Sequence, residues 1–254
     1  MMIGSKFRHG GGIALRRSVL LRQGRVAAVA TPSVSGSIGT NDVNNARRFI
    51  TTEQQKRFQE LGYLDERGLT VFDTLHEMQY RSCQVFADNE LFGTFNQATG
   101  KFEFDTYETY GQQVDTCRAL LKDLGVGPYD KVAIISNNRW EWAAIATAAY
   151  SLNASAVPMY EAQLPADWTY IVNDSGAKVL FCATQDIYDR VQKEVLPSTP
   201  SVQASLCLDA ADGEPHAFST AMSSSSPDSD GKLIIPPTPD DLANLIYTSG
   251  TTGK

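Results

Sequence analysis

The stretch Leu245-Ile-Tyr-Thr-Ser-Gly-Thr-Thr-Gly-Lys254 joins an apolar run to a loop of hydroxyl residues and glycines. The apolar run, residues 242–247, predicts a short buried strand. In the loop, glycines allow successive backbone N–H groups to turn towards an anion, and the hydroxyl groups add donors without bulk. We interpret this stretch as a strand that ends at an oligophosphate-binding loop. A plain Gly/Ser/Thr linker is the alternative interpretation.

The loop is not a Walker A motif, because that pattern needs a glycine five residues before Gly253 and the chain has Thr248 there. It resembles instead the signature Tyr-Thr-Ser-Gly-Thr-Thr-Gly-x-Pro-Lys-Gly of the adenylate-forming (AMP-binding) superfamily. All seven leading residues, 247–253, are present. The sequence stops at the variable position, Lys254, so this residue does not correspond to the lysine of the signature.

The resemblance implies that the loop holds the β- and γ-phosphates of ATP. The residues that would do so are Thr248, Ser249, Gly250, Thr251, Thr252 and Gly253. In the superfamily the adenine pocket, the Mg²⁺-binding glutamate, the ribose-binding aspartate and the catalytic lysine all lie further along the chain. We therefore expect no catalytic residue and no metal ligand among these 254 residues. We expect the chain to be an N-terminal fragment that is inactive alone.

Two other stretches resemble long-chain acyl-CoA synthetases within that superfamily. One is Val132-Ala-Ile-Ile-Ser-Asn-Asn-Arg-Trp-Glu-Trp142, and the other begins at Ala156-Val-Pro-Met-Tyr-Glu-Ala162. The resemblance implies a fatty acid–CoA ligase whose small-molecule partners are a fatty acid, ATP with Mg²⁺, and coenzyme A. Two alternatives remain open. One is an adenylate-forming ligase for an acyl-carrier protein or an aryl acid, and the other is an inactive half-domain that only binds.

Composition excludes several other classes of protein. A net charge of −7 argues against a nucleic-acid-binding protein, which would carry a basic surplus. No apolar run approaches the ~20 residues of a membrane-spanning helix, which leaves peripheral membrane association open. The four cysteines are far apart in sequence and form no metal-ligand pattern, so we interpret them as reduced core residues.

The charge is unevenly distributed along the chain. Residues 1–41 contain six basic residues and no acidic residue, which is typical of an organelle transit peptide, with a disordered tail as the alternative. Residues 13–25 fit a helix with arginines on one side. We expect a mitochondrial protein, with a plastid or the cytoplasm as alternatives. Residues 42–69 are predicted to form a charged connector that contains a short helix.

Residues 70–254 predict an incomplete AMP-binding domain of α/β class. Alternating aromatic residues around a turn predict a β-hairpin over 91–104, and Thr70 is the predicted N-cap of the helix before it. Repeated strand–helix units then predict a mostly parallel sheet flanked by helices. Its predicted strands are residues 131–136, 154–159, 178–183, 202–208 and 242–247. Residues 210–232 are rich in serine and predict a mobile surface loop.

Overall fold

The computed structural model describes residues 15–22, 51–227 and 235–249, with 15–22 and Ser249 described at the level of the backbone. The strands are β1 (Leu15–Arg22), β2 (Glu90–Asn96), β3 (Lys101–Thr106), β4 (Lys131–Ile135), β5 (Ser155–Met159), β6 (Val179–Cys182), β7 (Ala204–Cys207) and β8 (Leu242–Ser249). The helices are α1 (Thr52–Glu60), α2 (Leu75–Val85), α3 (Tyr107–Asp123), α4 (Trp140–Ser151), α5 (Pro165–Ser175), α6 (Gln185–Arg190) and α7 (Phe218–Ser224). A π-helical turn and a 3₁₀ turn continue α6 as far as Ser198.

Six of the strands form one sheet in the order β1-β8-β5-β4-β6-β7. The five strands from β8 to β7 are parallel, and β1 pairs antiparallel with β8 at the edge. After their first residues the central strands β4 and β5 are apolar, as expected where helices cover both faces of a parallel sheet. The predicted α/β fold class with a mostly parallel sheet is therefore confirmed.

Each face of the sheet has its own hydrophobic core. On one face α3 and α4 pack against the sheet, and Leu121 and Ile145 are fully buried there. On the other face α5 and α6 pack around Trp168 and Ile171, which are also fully buried. The helix α5 begins with a proline at its first position and ends at Gly176, whose φ of 66° is left-handed and favours glycine.

The strands β2 and β3 form the predicted hairpin, separate from the main sheet. Phe95 lies opposite Phe102, and their ring centroids are 5.3 Å apart. Phe104 lies over Gly93, where an added Cβ would approach the Phe104 ring to 2.6 Å. The absence of a side chain at Gly93 therefore permits this close contact. The hairpin prediction is confirmed.

The N-terminal helix expected over residues 13–25 is wrong for the residues that the structure describes. Leu15–Arg22 forms β1 and pairs with β8, with Leu20 opposite Leu245. Val19, Leu20 and Leu21 are consecutive and therefore suit a strand as well as a helix. The open edge of β8 supplies the backbone partners that favour the strand.

Two further sequence predictions are also wrong in detail. The N-cap of α2 is Thr74, whose hydroxyl accepts a hydrogen bond from the backbone N–H of Glu77, and not Thr70, which forms an isolated bridge with Leu64. The serine-rich stretch predicted as a loop contains α7, because the fully buried ring of Phe218 anchors it to the core.

Candidate functional site

The loop predicted to bind phosphate begins at the carboxyl edge of the parallel sheet. Ligands of open α/β sheets bind at this edge, beyond the carboxyl ends of the strands. β8 ends here at Ser249, and Thr248 is exposed to solvent. β8 is an inner strand, because β1 and β5 lie on either side of it.

Of the six predicted phosphate-binding residues, the structure places the first two. Thr248 and Ser249 are the last residues of β8, and register pairs them with Arg17 and Leu15 of β1. Residues 250–253 lie outside the described residues. The assignment of all six residues to ATP therefore stays a prediction, and the described part shows only where their loop starts.

Side-chain hydrogen bonds fix β8 to the rest of the domain. The Tyr247 hydroxyl donates to Oδ2 of Asp174 on α5 at 2.6 Å. On the other side of the sheet, the Tyr150 hydroxyl of α4 donates to Oδ1 of Asn244 at 2.8 Å. The Ser155 hydroxyl donates to the backbone oxygen of Leu242 at 2.8 Å. β8 is therefore held from both faces immediately before the loop.

Burial raises the pKa of Tyr247 well above its ordinary value, and the hydrogen bond to Asp174 and the charge of that carboxylate raise it further. The phenol is therefore protonated at neutral pH and acts as a donor. Tyr170 packs edge-on against Tyr247 with ring centroids 6.2 Å apart. This tyrosine therefore anchors the strand.

The loops that follow β4 and β5 lie at the same edge and are joined to each other. The backbone N–H of Asn137 donates to Oε1 of Glu161 at 2.8 Å. The N–H of Ser136 donates to the oxygen of Met159 at 3.4 Å, which continues the pairing of β4 with β5. The carboxyl edge next to β8 is therefore an ordered surface.

Arg139 connects the loop after β4 to the loop after β7. Its guanidinium donates to Oε2 of Glu141 at 2.8 Å and to Oε1 of the same residue at 2.6 Å, and its Nη1 donates to Oδ1 of Asp209 at 2.8 Å. The hydrogen bonds to Glu141 raise the pKa of Arg139 above its ordinary value. These contacts give Arg139 and Glu141 a structural role. Sequence reasoning missed Asp209, which is 70 residues away.

A cleft of about 650 Å³ separates the hairpin from the start of α4. Phe92 and Phe95 line one side, and Trp140 and Trp142 line the other. Arg139 also lines this cleft, but its guanidinium is occupied by two carboxylates. We assign no ligand to the cleft.

The described residues supply no metal centre. Across 51–227 and 235–249 no group of three or more His, Cys, Asp and Glu side chains is placed to hold a metal ion. All four cysteines are unpaired thiols, three of them buried. Among the helices of the described ranges, none has the length and apolarity needed to cross a membrane.

A parallel sheet whose inner strand leads into a Gly/Ser/Thr-rich sequence at its carboxyl end is compatible with the predicted phosphate-binding loop. The family model described as AMP-binding enzyme matches residues 84–254. The chain therefore belongs to the AMP-binding enzyme family, the adenylate-forming superfamily, and the family predicted from the signature is confirmed.

Individual relatives agree with this family. The chain is similar to fatty acyl-CoA synthetase B of Dictyostelium discoideum, with 27% identity over 195 residues that cover 71% of this chain and 29% of that protein. It is also similar to the peroxisomal long chain acyl-CoA synthetase 7 of Arabidopsis thaliana, with 27% identity over 192 residues that cover 71% and 27%. The chain thus spans less than a third of the length of these two relatives.

A solved structure shares the fold. The inhibitor-bound N-terminal domain of FACL13 from Mycobacterium tuberculosis superposes with a TM-score of 0.59 at 22% identity, over 72% of this chain and 42% of that one. At this identity the likeness establishes the fold alone.

Proposed function

We propose that the protein to which this chain belongs activates a long-chain fatty acid. The carboxylate attacks the α-phosphate of ATP, which gives an acyl-adenylate and pyrophosphate. The thiol of coenzyme A then attacks the acyl carbon, AMP leaves, and the thioester forms. The observation that carries this proposal is the family match over residues 84–254, which includes the loop that begins at Thr248 at the carboxyl edge of the sheet.

The described residues contribute to such a reaction by holding the loop. Phosphoryl chemistry requires the protein mainly to position groups and to neutralise charge. β8 is fixed on one face by Tyr247 with Asp174 and on the other by Asn244 with Tyr150. The start of the loop is thereby set before ATP arrives, so less ordering is required on binding. The loop itself supplies N–H and hydroxyl donors for the phosphates.

The long-chain acid is the finer part of the proposal. It rests on the names of the relatives in Dictyostelium discoideum and Arabidopsis thaliana, and on the resemblance of residues 132–142 to that subgroup. Mg²⁺ would accompany ATP, and its ligands would come from outside the described residues. Peripheral contact with a membrane would suit a water-insoluble acid.

The proposal is tested with the full-length protein. Pyrophosphate release is measured with ATP and one of three acids, namely oleate, a short-chain acid and an aryl acid. We expect release with oleate and a thioester once coenzyme A is added. Release only with the aryl acid would assign another ligase of the same family. No release with any acid would favour the inactive half-domain.

We also propose import into mitochondria, because residues 1–41 carry six basic and no acidic residues. The strand β1 lies within this segment, so cleavage beyond it would uncover the edge of β8. The test is a fluorescent fusion to residues 1–60, which we expect in mitochondria. A fusion that stays diffuse in the cytosol would contradict the proposal.

A further inference from the structure

Two buried cysteines lie opposite each other on the neighbouring strands β6 and β7. Register pairs Cys182, the last residue of β6, with Cys207, the last residue of β7. We propose that these two thiols form a reversible disulfide under oxidising conditions and so join β7 covalently to the rest of the sheet. The inference does not depend on the proposed function, because it concerns a pair of core residues and no ATP-binding group.

The backbone holds the two cysteines at the same level of the sheet. Phe181 pairs with Leu206, and Cys182 pairs with Cys207. The Leu208 N–H donates to the carbonyl oxygen of Cys182 at 2.8 Å, which continues the parallel pairing beyond the two cysteines. Neighbouring strands lie about 4.8 Å apart, and the Cα atoms of a disulfide are usually about 4.4–6.8 Å apart. The spacing of the strands therefore suits a disulfide.

Alternation directs both thiols to the same face of the sheet. Phe181 and Leu206 belong to the core on the α3 and α4 side. Successive side chains of a strand point to opposite faces, so the next residue of each strand faces α5 and α6. Cys182 belongs to the core on that side. Burial raises the pKa of Cys182, and the nearby Cys207 thiol raises it further, which agrees with two adjacent sulfur atoms.

The surroundings of Cys207 make it the first of the two thiols to react. β7 is the edge strand of the described sheet, so it opens more readily than the inner strand β6. Burial raises the pKa of Cys207, but the backbone N–H groups of Asp209 and Ala210 act in the opposite direction because they stabilise the thiolate. The thiolate is the nucleophilic form of cysteine. Cys182 on the inner strand is then the second thiol.

The oxidant that suits this pair is a small peroxide, because both side chains are fully buried. The Cys207 thiolate attacks one oxygen of hydrogen peroxide, the O–O bond breaks, and a sulfenic acid forms while the leaving hydroxide takes up a proton. The Cys182 thiol then attacks the Cys207 sulfur, the S–O bond breaks, and water leaves with the thiol proton. Two thiols and one peroxide thus give one disulfide and two waters. A thiol reductant reverses the reaction.

The disulfide would fix the outer edge of the sheet. It would close a loop over residues 182–207, which contains α6 and the two turns that continue it. The segment after β7 carries Asp209, whose Oδ1 accepts a hydrogen bond from Arg139 at 2.8 Å. Oxidation would therefore restrict the local opening of β7 and of the segment that holds Arg139.

The test treats the full-length protein with hydrogen peroxide under native conditions, blocks the remaining thiols and maps the linked peptides by mass spectrometry. Hydrogen exchange of residues 204–208 is followed in the oxidised protein and after a thiol reductant is added. The variant is Cys207→Ala. The matched control is Cys117→Ala, because Cys117 is also fully buried but lies on α3 in the other core.

We expect a peptide that links Cys182 to Cys207 in the wild type and in Cys117→Ala, and none in Cys207→Ala. Exchange of residues 204–208 should slow about tenfold on oxidation and recover on reduction, because the bond suppresses opening of β7.

A wild type in which both thiols stay reduced, or are oxidised to sulfinic acid without a linked peptide, would contradict the inference. A linked peptide with unchanged exchange would contradict the joining of β7 to the sheet. The wild-type peptide map alone decides the question if Cys207→Ala fails to fold.

Discussion

The Tyr247 hydroxyl donates a 2.6 Å hydrogen bond to Oδ2 of Asp174 and so ties a buried residue near the end of β8 to α5. Tyr247 is also the first residue of the family signature, and Thr248 follows it directly. The same side chain thus belongs to the core and directly precedes the predicted phosphate-binding loop.

Tyr247→Phe keeps the ring and removes only this hydrogen bond. We expect it to lower the free energy of unfolding by about 1 kcal/mol, a modest value because the Asp174 carboxylate is exposed and returns to water. Urea titration measures the change. The control is Tyr80→Phe on α2, where the ring is half exposed, and we expect no loss. Equal stability of both variants would show that the Tyr247 bond does not anchor β8.

The Arg139 ion pairs should contribute more than an exposed pair. Arg139→Gln leaves the carboxylate of Glu141, which is only 8% exposed, without its bidentate partner. We expect a loss of about 2 kcal/mol, since an unpaired charge near the interior is costly. The matched control is Lys56→Gln, because Lys56 and Glu60 form an exposed pair on α1. Lys56→Gln should lower the free energy of unfolding by no more than about 0.5 kcal/mol. Equal losses in the two variants would show that the Arg139 ion pairs contribute no more than an exposed pair.

His76 should make the fold sensitive to acid. Burial lowers the pKa of His76 to about 4, and the charge of Arg118 lowers it further. Below the ordinary pKa of 6.5 the unfolded chain binds a proton that the folded chain does not, so stability falls as the pH drops from 6.5 towards 4. At pH 5 the loss in the free energy of unfolding is about 2 kcal/mol, and well above pH 6.5 the loss disappears.

The measurement is the free energy of unfolding at pH 7.5 and pH 5, for the wild type and for His76→Gln. Carboxyl groups also titrate in this range. Their contribution is common to both proteins and cancels when the two are compared. We expect the wild type to lose more stability than His76→Gln on acidification. Identical losses in the two proteins would show that His76 takes up its proton equally in both states.

Most of the sheet was predictable because its strands are short and apolar on both faces. Residues 131–136, 154–159 and 178–183 have this pattern, and β4, β5 and β6 formed within them. Local signals also predicted the hairpin. These features depend on neighbouring residues in the sequence.

The features that sequence reasoning missed depend on distant residues. Thr70 and Thr74 are equally good caps locally, and the bridge from Thr70 to Leu64 decides between them. The helix α7 forms because Phe218 packs against Phe181, with ring centroids 5.9 Å apart. Its apolar residues 217, 218, 221 and 222 have helical spacing, a signal that the adjacent serines obscured.

The candidate site was predictable only in part, because it also depends on contacts between residues that are distant in sequence. The signature located the loop and its strand, but it could not show that Tyr247 is bonded to α5 or that Asn244 is bonded to Tyr150 of α4. Both relationships arise from the pairing of the strands and the packing of helices on them. Sequence patterns of one segment do not contain that information.

We propose that the loop starting at Thr248 binds the phosphates of ATP during acid activation. Thr248→Val together with Thr251→Val keeps side-chain volume roughly constant and removes two hydroxyl donors. We expect each substitution to cost about 1–3 kcal/mol in transition-state binding if its donor meets phosphate charge. Thr248 is exposed, so its loss should barely change stability.

The decisive measurement is oleate- and ATP-driven pyrophosphate release by the full-length protein, wild type against the double variant, with thermal melts of both. We expect the double variant to show a large fall in kcat/KM at an unchanged melting temperature. Equal rates would contradict the phosphate-loop assignment, and a melting temperature that falls together with the rate would show that the threonines are structural.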